Sequence, residues 1–456
     1  MGTSSIDLSD WTPGSGGSWT QTTQLPLHAR LHVPCENGRV IDARSDASLP
    51  WGGWLRASCV GVEVDDASLQ LSLRTRNKAF VEAMVSRNGS ALQLTLTYRL
   101  ASYAAGDSAE PPPKPVLCER PGMADVWQDY RKWMDTAWPR QPFFEPDFAK
   151  RIPAVVLVEL WTGNGTITHT FEDLVRLLGS MREAEVPKGT MLYFWGFHGP
   201  FDTRYPEYWP APELGGEAGL SRVVETAAKL GYRLMPHLNY WGCDGRLPEY
   251  EQLRADQVRD RSGAPQGWRM EGEPPIEYIR PSSSAWRDRM AEICHRFVSS
   301  FPVDALFLDQ LGLFVDDAGC DFDLATTQYI EAMQNACPGV ALVGEIFHER
   351  CRSLPLWQVW GTPWCGLPMN ESLEHAEMWR ELFGGDFTML PHMGMPGAVP
   401  MTDSWPSYYW YVDHHGPEEA TRRANRWHRR IGAVPSVRVN YRQYGLDDVA
   451  VEILTQ

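Results

Sequence analysis

Two acidic residues close consecutive apolar runs in this chain. Ala305-Leu-Phe-Leu-Asp309 ends on a carboxylate after Leu306, Phe307 and Leu308, and Ala341-Leu-Val-Gly-Glu345 repeats the design, with Gly344 permitting close approach. An acid at the end of a buried parallel strand lies at the carboxyl edge of its sheet, where barrel enzymes place their chemistry. Two such carboxylates in one mouth can flank a glycosidic oxygen. A separation near 5 Å suits a nucleophile beside a general acid, and roughly 6.5 to 9.5 Å leaves room for an inverting water. Asp309 and Glu345 are therefore the expected catalytic pair. Each also has a plainer reading, Asp309 as a cap on its loop and Glu345 as a salt-bridge partner inside the mouth.

Other polar groups fall around them. In Leu234-Met-Pro-His237-Leu-Asn239-Tyr-Trp241, alternation puts His237 and Asn239 on one face, where both can hydrogen-bond sugar hydroxyls. A satisfied core histidine is an equal reading of His237. The loop from Trp195 to Trp209 mixes His198, Asp202 and Arg204 with aromatics, the composition of a polyol-binding rim. Trp241, Gln310, His392 and Asp403 complete the expected substrate contacts. A G-x-S-x-G elbow, a Walker A loop, a G-x-G-x-x-G after a strand and an H-E-x-x-H helix are all missing from the sequence. His414-His415 and His348-Glu349 do not supply three or four converging donors, so neither metal nor cofactor is expected.

The elements that must position these residues change grammar along the chain. From about 25 to 104, short alternating runs are broken by turn signals such as Asn37-Gly38 and Asn88-Gly89, which predicts antiparallel hairpins and an N-terminal β-sandwich. Gly106 and the prolines at 111, 112, 113 and 115 mark a linker, and helical spacing follows over 125–138. Beyond 150, apolar runs alternate with helical segments, as parallel βα units do. Strands are expected at 154–160, 191–197, 233–240, 305–309, 341–346, 358–360, 387–392 and 437–441. Helices are expected at 170–185, 219–230, 284–300, 324–337, 371–382 and 418–431. Eight strands is the number a (β/α)8 barrel of the TIM type requires. The expected domains are a sandwich over 1–115, a helical linker over 116–149 and a catalytic barrel over 150–456.

Composition narrows the function classes. The 456 residues carry a formal net charge of -16, which disfavours a nucleic-acid backbone and an anionic membrane as partners. No apolar run is long enough to span a bilayer and the first residues are polar, so a cytoplasmic protein is expected, a removed leader being the exception. Nine scattered cysteines without a C-x-x-C pair read as free thiols. Twenty tryptophans can build a large core or, where they cluster in strand-end loops, platforms for the apolar face of a sugar. Homo-oligomerisation is left open.

Leu306-Phe-Leu-Asp-Gln-Leu-Gly312, followed by a helix and Val343-Gly-Glu-Ile346, resembles a glycoside-hydrolase-like family of unknown function. Pro50-Trp-Gly-Gly-Trp54 and Tyr278-Ile-Arg-Pro-Ser-Ser283 support that resemblance, which implies a sandwich joined to a barrel. More distantly, Asp after strand four and Glu after strand five is similar to the α-amylase superfamily and to endo-α-N-acetylgalactosaminidases. That likeness implies retaining hydrolysis of α-linked glycosides, with Asp309 as nucleophile and Glu345 as general acid/base. Phe307 stands where amylases carry an arginine, and no His-Asp pair closes strand seven, which sets this chain apart from α-glucan enzymes. The alternatives are a β-glycosidase or transglycosylase on the same scaffold, or a barrel that binds carbohydrate without turning it over.

Overall fold

A computed structural model describes residues 11–14, 17–33, 39–42, 51–55, 57–75, 80–100, 111–137, 148, 151–268, 275–345, 348–349, 354–359, 399–402, 422, 434–439 and 446–455. The first ten strands are Thr12–Pro13 (β1), Ser18–Pro26 (β2), Arg30–Val33 (β3), Arg39–Asp42 (β4), Trp51–Trp54 (β5), Cys59–Val64 (β6), Ala67–Ser72 (β7), Phe80–Asn88 (β8), Ala91–Arg99 (β9) and Val116–Arg120 (β10). They form two five-stranded antiparallel sheets, ordered β1-β2-β9-β8-β5 and β10-β7-β6-β3-β4. Alternation explains the pairing. In β9, Leu92, Leu94, Leu96 and Tyr98 are buried while the residues between them are partly exposed. Gly89, at φ +59°, opens the two-residue loop between β8 and β9, a backbone conformation open to glycine at little cost. Residues of both sheets join in one apolar core that includes Trp19, Leu31, Val62 and Val85.

The stretch expected to be a helical linker begins instead as β10, which pairs with β7 along its whole length. Helix α1 (Met123–Ala137) then packs against β6 and β7. Its Val126 carbonyl accepts from Gln70 Nε2 at 3.0 Å, and Met123 lies over Gly61, where a Cβ would collide with the thioether. The proline- and glycine-marked segment hid this strand, because only seven residues, 116–122, separate Pro115 from the helix.

The rest of the chain alternates strand and helix. The parallel strands are Val155–Glu159 (β11), Met191–Trp195 (β12), Arg233–Asn239 (β13), Ala305–Asp309 (β17), Ala341–Glu345 (β18), Leu356–Val359 (β19), Val399–Thr402 (β20) and Ser436–Arg438 (β21). They form one eight-stranded sheet ordered β20-β19-β18-β17-β13-β12-β11-β21, with the last strand beside the first. Of the two faces, one packs against α2 (Phe171–Glu183), α3 (Gly216–Leu230), α5 (Ser284–Ser300) and α6 (Phe322–Ala336), as Val156, Val158, Leu192 and Leu306 show. Alternate residues, among them Val155, Leu157, Tyr193, Phe307, Val343 and Leu356, meet in a second, inner cluster. Both faces are thus apolar, which is why these strands read as continuous hydrophobic runs.

The seventh strand lies at 399–402, whereas the run expected at 387–392 and the helices expected at 371–382 and 418–431 fall outside the described residues, apart from Arg422. The long loop after β13 holds a three-stranded antiparallel sheet of Gly242–Asp244 (β14), Gly267–Trp268 (β15) and Ile276–Tyr278 (β16), with α4 (Pro248–Leu253) between β14 and β15. Helix starts are capped by side chains. Thr170 and Asp173 form a reciprocal capping box at α2, and Ser283 and Asp321 accept from Trp286 N and Leu324 N. A final helix, α7 (Asp448–Thr455), packs against β21.

Candidate active site

Parallel register brings the strand ends level. Asn239 at the end of β13 pairs with Asp309 at the end of β17, and Glu345 closes β18 beside it. Asn239 Nδ2 donates to Asp309 Oδ2 at 2.7 Å. The Asn239 Oδ1 accepts from Trp241 N at 3.2 Å and Gly242 N at 2.7 Å, which fixes the direction in which the amide faces. Gly242 cannot be replaced cheaply, since a Cβ there would press on Asn239 Oδ1 and Ile276 at 2.8 Å. The Tyr208 hydroxyl holds the same residue's backbone, accepting from Asn239 N at 2.7 Å and donating to its carbonyl at 3.1 Å.

Glu345 is fixed from the neighbouring loop. Its Oε2 accepts from Gln310 N at 2.7 Å and its carbonyl from Gly312 N at 2.9 Å. Gln310 adopts φ +61°, a left-handed conformation that costs a non-glycine residue roughly 1–2 kcal/mol and that here aims its N–H at the carboxylate. Its side chain is committed as well, with Trp241 Nε1 donating to Gln310 Oε1 at 2.8 Å. Both carboxyl groups are buried at the ends of neighbouring strands. Burial pushes the Asp309 carboxyl well above its usual range; the charge of Glu345 and the hydrogen bond to it add to the rise, and the bonds from Asn239 and Gln310 oppose it. Two close, buried acids of this kind hold a proton between them rather than ionising together.

His237 lies behind the pair, with Nε2 3.9 Å from Asp309 Oδ2. Burial lowers its pKa to about 3, with His198 adding to the fall, so the ring is neutral and this approach is not an ion pair. Tyr193 OH meets Nδ1 at 2.6 Å, while Phe307 and Phe201 wall the ring at centroid distances of 5.3 and 5.2 Å. His198 is also buried and neutral, its pKa lowered to about 4 by burial. Its Nε2 donates to the Thr203 carbonyl at 3.1 Å, so the ring braces the loop after β12. In that loop Asp202, at φ +57°, accepts from Tyr205 OH at 3.1 Å. Burial raises the Tyr278 hydroxyl, and the charges of Asp309, Asp202 and Glu345 raise it further.

Other sequence candidates lie differently. The exposed Arg204 guanidinium meets Glu207 at 2.7 Å, and its backbone N–H donates to Asp244. Trp241 is fully buried and stacks on Tyr278 with ring centroids 4.1 Å apart. His392 and Asp403 fall outside the described residues. The expectation passed over Glu159, although Val155-Val-Leu-Val-Glu159 has the same form as the run ending at Asp309. Glu159 accepts from Trp195 Nε1 at 3.2 Å and from Arg438 Nη2 at 3.0 Å, and the guanidinium lies 5.0 Å from the Trp195 ring centroid. These groups from β11, β12 and β21 line the same edge of the sheet. No cluster of three or more metal-ligating side chains occurs among the described residues.

Residues 121–321 match a family model described as a domain of unknown function (DUF6259). A Bacteroides thetaiotaomicron protein, provisionally named a glycoside hydrolase, is 24% identical over 194 residues, which cover 41% of this chain and 27% of the relative. In solved structures the fold is similar to that of an α-galactosidase from Thermus thermophilus, with TM-score 0.62 and 13% identity over 99% of this chain and 92% of that one. It is also similar to the ligand-free α-N-acetylgalactosaminidase of Bifidobacterium bifidum, with TM-score 0.57 and 13% identity over 77% and 67% of the two chains. This chain thus spans about a quarter of its curated relative. Together these likenesses make it a glycoside-hydrolase-like protein in fold, with antiparallel sheets leading into a parallel α/β unit.

Proposed function

We propose that the protein is a retaining hydrolase of α-linked glycosides, with Asp309 as nucleophile and Glu345 as general acid/base. The observation that carries the reading is the placement of two buried carboxylates at adjacent ends of parallel strands. Side-by-side strand ends are compatible with the retaining separation of about 5 Å. The first step starts with the shared proton on Glu345 and Asp309 ionised: an Asp309 oxygen bonds to the anomeric carbon, the glycosidic C–O bond breaks, and Glu345 gives its proton to the departing oxygen. In the second, Glu345 takes a proton from water as that oxygen attacks the anomeric carbon, and the bond to Asp309 breaks. Two inversions leave the configuration retained. In this reading Asn239 orients the nucleophile, the neutral His237 and Asp202 contact sugar hydroxyls, and His198, Arg204, Trp241 and Gln310 brace the surrounding loops, while His392 and Asp403 stand as sugar ligands on the sequence alone.

The architecture that serves this chemistry is a closed (β/α)8 barrel over 150–456, following a sandwich over 1–115 and a connecting segment over 116–149. Placement of β21 beside β11 supports closure, which needs one further pairing, of β20 with β21. The names of the solved neighbours point to α-galactosides and α-N-acetylgalactosaminides as the first substrates to try. Incubation with aryl α- and β-glycosides of both sugars, with products read by proton NMR, tests the proposal. Turnover of an α-glycoside with the α-anomer released first is expected. Release of the β-anomer first, or full activity in Glu345→Gln, would overturn it.

A further inference from the structure

Glu349 stands four residues beyond Glu345 and is 1% exposed. Its Oε2 accepts from Tyr130 OH at 2.7 Å and from Ser58 N at 3.3 Å. Neither donor belongs to the parallel sheet. Tyr130 is buried on α1, which packs on β6 and β7, and Ser58 immediately precedes β6. The far end of the short segment that starts with Glu345 is therefore held by the antiparallel unit, and its near end by Gln310 N and Gly312 N. Between them, His348 packs on Phe314 with ring centroids 4.1 Å apart. Burial first, and then the neighbouring Glu349 charge, raise the Tyr130 hydroxyl well above its usual range, so it remains a donor throughout the working pH.

We infer that Tyr130 and Glu349 form a positioning clamp through which the N-terminal unit sets the placement of Glu345, so that the antiparallel sheets are part of the catalytic apparatus. Only four residues of sequence separate Glu349 from Glu345, which limits how far the two anchored ends can move independently. Displacements of about 1 Å at catalytic groups cost roughly a hundredfold in rate, so partial loosening is expected to cost about tenfold. The chemical consequence rests on the hydrolase reading above, whereas the mechanical consequence does not.

The test compares Tyr130→Phe, Glu349→Ala and Glu349→Gln in the full chain, at a temperature where circular dichroism shows each to be folded. Tyr130→Phe and Glu349→Ala are expected to lower kcat about tenfold with little change in KM. They should also move the alkaline limb of the pH profile downwards, because a looser Glu345 is better hydrated and loses its proton sooner. Glu349→Gln, whose amide oxygen still accepts both bonds, should restore most of the rate. Hydrogen exchange at the Gly312 amide, which donates to the Glu345 carbonyl, should quicken at least tenfold in the first two variants, whether or not a substrate is known. Unchanged exchange overturns the clamp. So does Glu349→Gln proving as impaired as Glu349→Ala, or an unmoved pH profile in an active enzyme. Wild-type protein without turnover, combined with quickened exchange in the variants, would instead count against the hydrolase reading alone.

Discussion

Asp309 is the residue at which the fold works hardest against ionisation. Its pKa is raised in the folded chain by burial first and by Glu345 second. For an acid shifted upwards, the stabilising contribution is full below the ordinary carboxylate range and is lost as pH rises through the folded value. Asp309→Asn is isosteric and cannot ionise, and it can still accept from Asn239. It is therefore expected to raise stability at pH 7 by about 1 kcal/mol, an effect that fades towards pH 4, while lowering kcat by roughly a thousandfold or more. Calorimetry at both pH values checks the first part, and a loss of stability at pH 7 would show that the charged pair is favourable. Gln310 makes a comparable point, because its left-handed backbone is tolerated for the sake of one N–H bond to Glu345. Gln310→Gly relieves the strain and keeps that bond but removes the tie to Trp241, so a denaturant midpoint close to that of the wild type is expected.

At the scale of elements, the strand ends were readable because apolar runs closing on Asp309 and Glu345 stop where the sheet stops. The same rule read at Glu159 would have found the acid that anchors Arg438 and Trp195; a boundary set at Leu160 hid it inside the expected strand. Strand β20 was not readable, since Val399-Pro-Met-Thr402 is short, contains proline and lacks a long apolar run. Nor could any pattern show that Trp241 is buried against Tyr278, which follows from packing between separate segments, or that His198 braces its own loop, which follows from how that loop folds back on itself. Two substitutions separate local from site-linked effects. Thr170→Ala removes one capping bond from α2 and should cost about 1 kcal/mol with activity intact. Gly196→Ala places a Cβ against the Trp161 carbonyl at φ +69°, directly after β12, and should cost roughly 1–3 kcal/mol and lower activity as well. Thermal unfolding with parallel assays distinguishes the two.

For the whole molecule, burial of two neutral imidazoles beside the site predicts sensitivity to acid. His198 and His237 have folded values of about 4 and about 3, against 6.5 for an ordinary ring. A histidine shifted downwards contributes stability above its unfolded value, and that contribution is lost as pH falls towards the folded one. Each ring should therefore cost about 2 kcal/mol between pH 7 and pH 5. Denaturant midpoints at the two pH values, for wild type and His198→Gln, measure one share of that loss. The clamp through Glu349 adds a second whole-molecule property, a dependence of the mouth on the antiparallel unit. All of this serves one claim, that Asp309 attacks an anomeric carbon while Glu345 moves the proton. The most direct measurement is peptide mapping by mass spectrometry after incubation with a fluorinated α-glycosyl fluoride, which slows breakdown of a glycosyl ester. A sugar adduct on Asp309, absent in Asp309→Asn, is the expected result; an adduct on Glu159, Asp202 or any other acid would contradict the assignment.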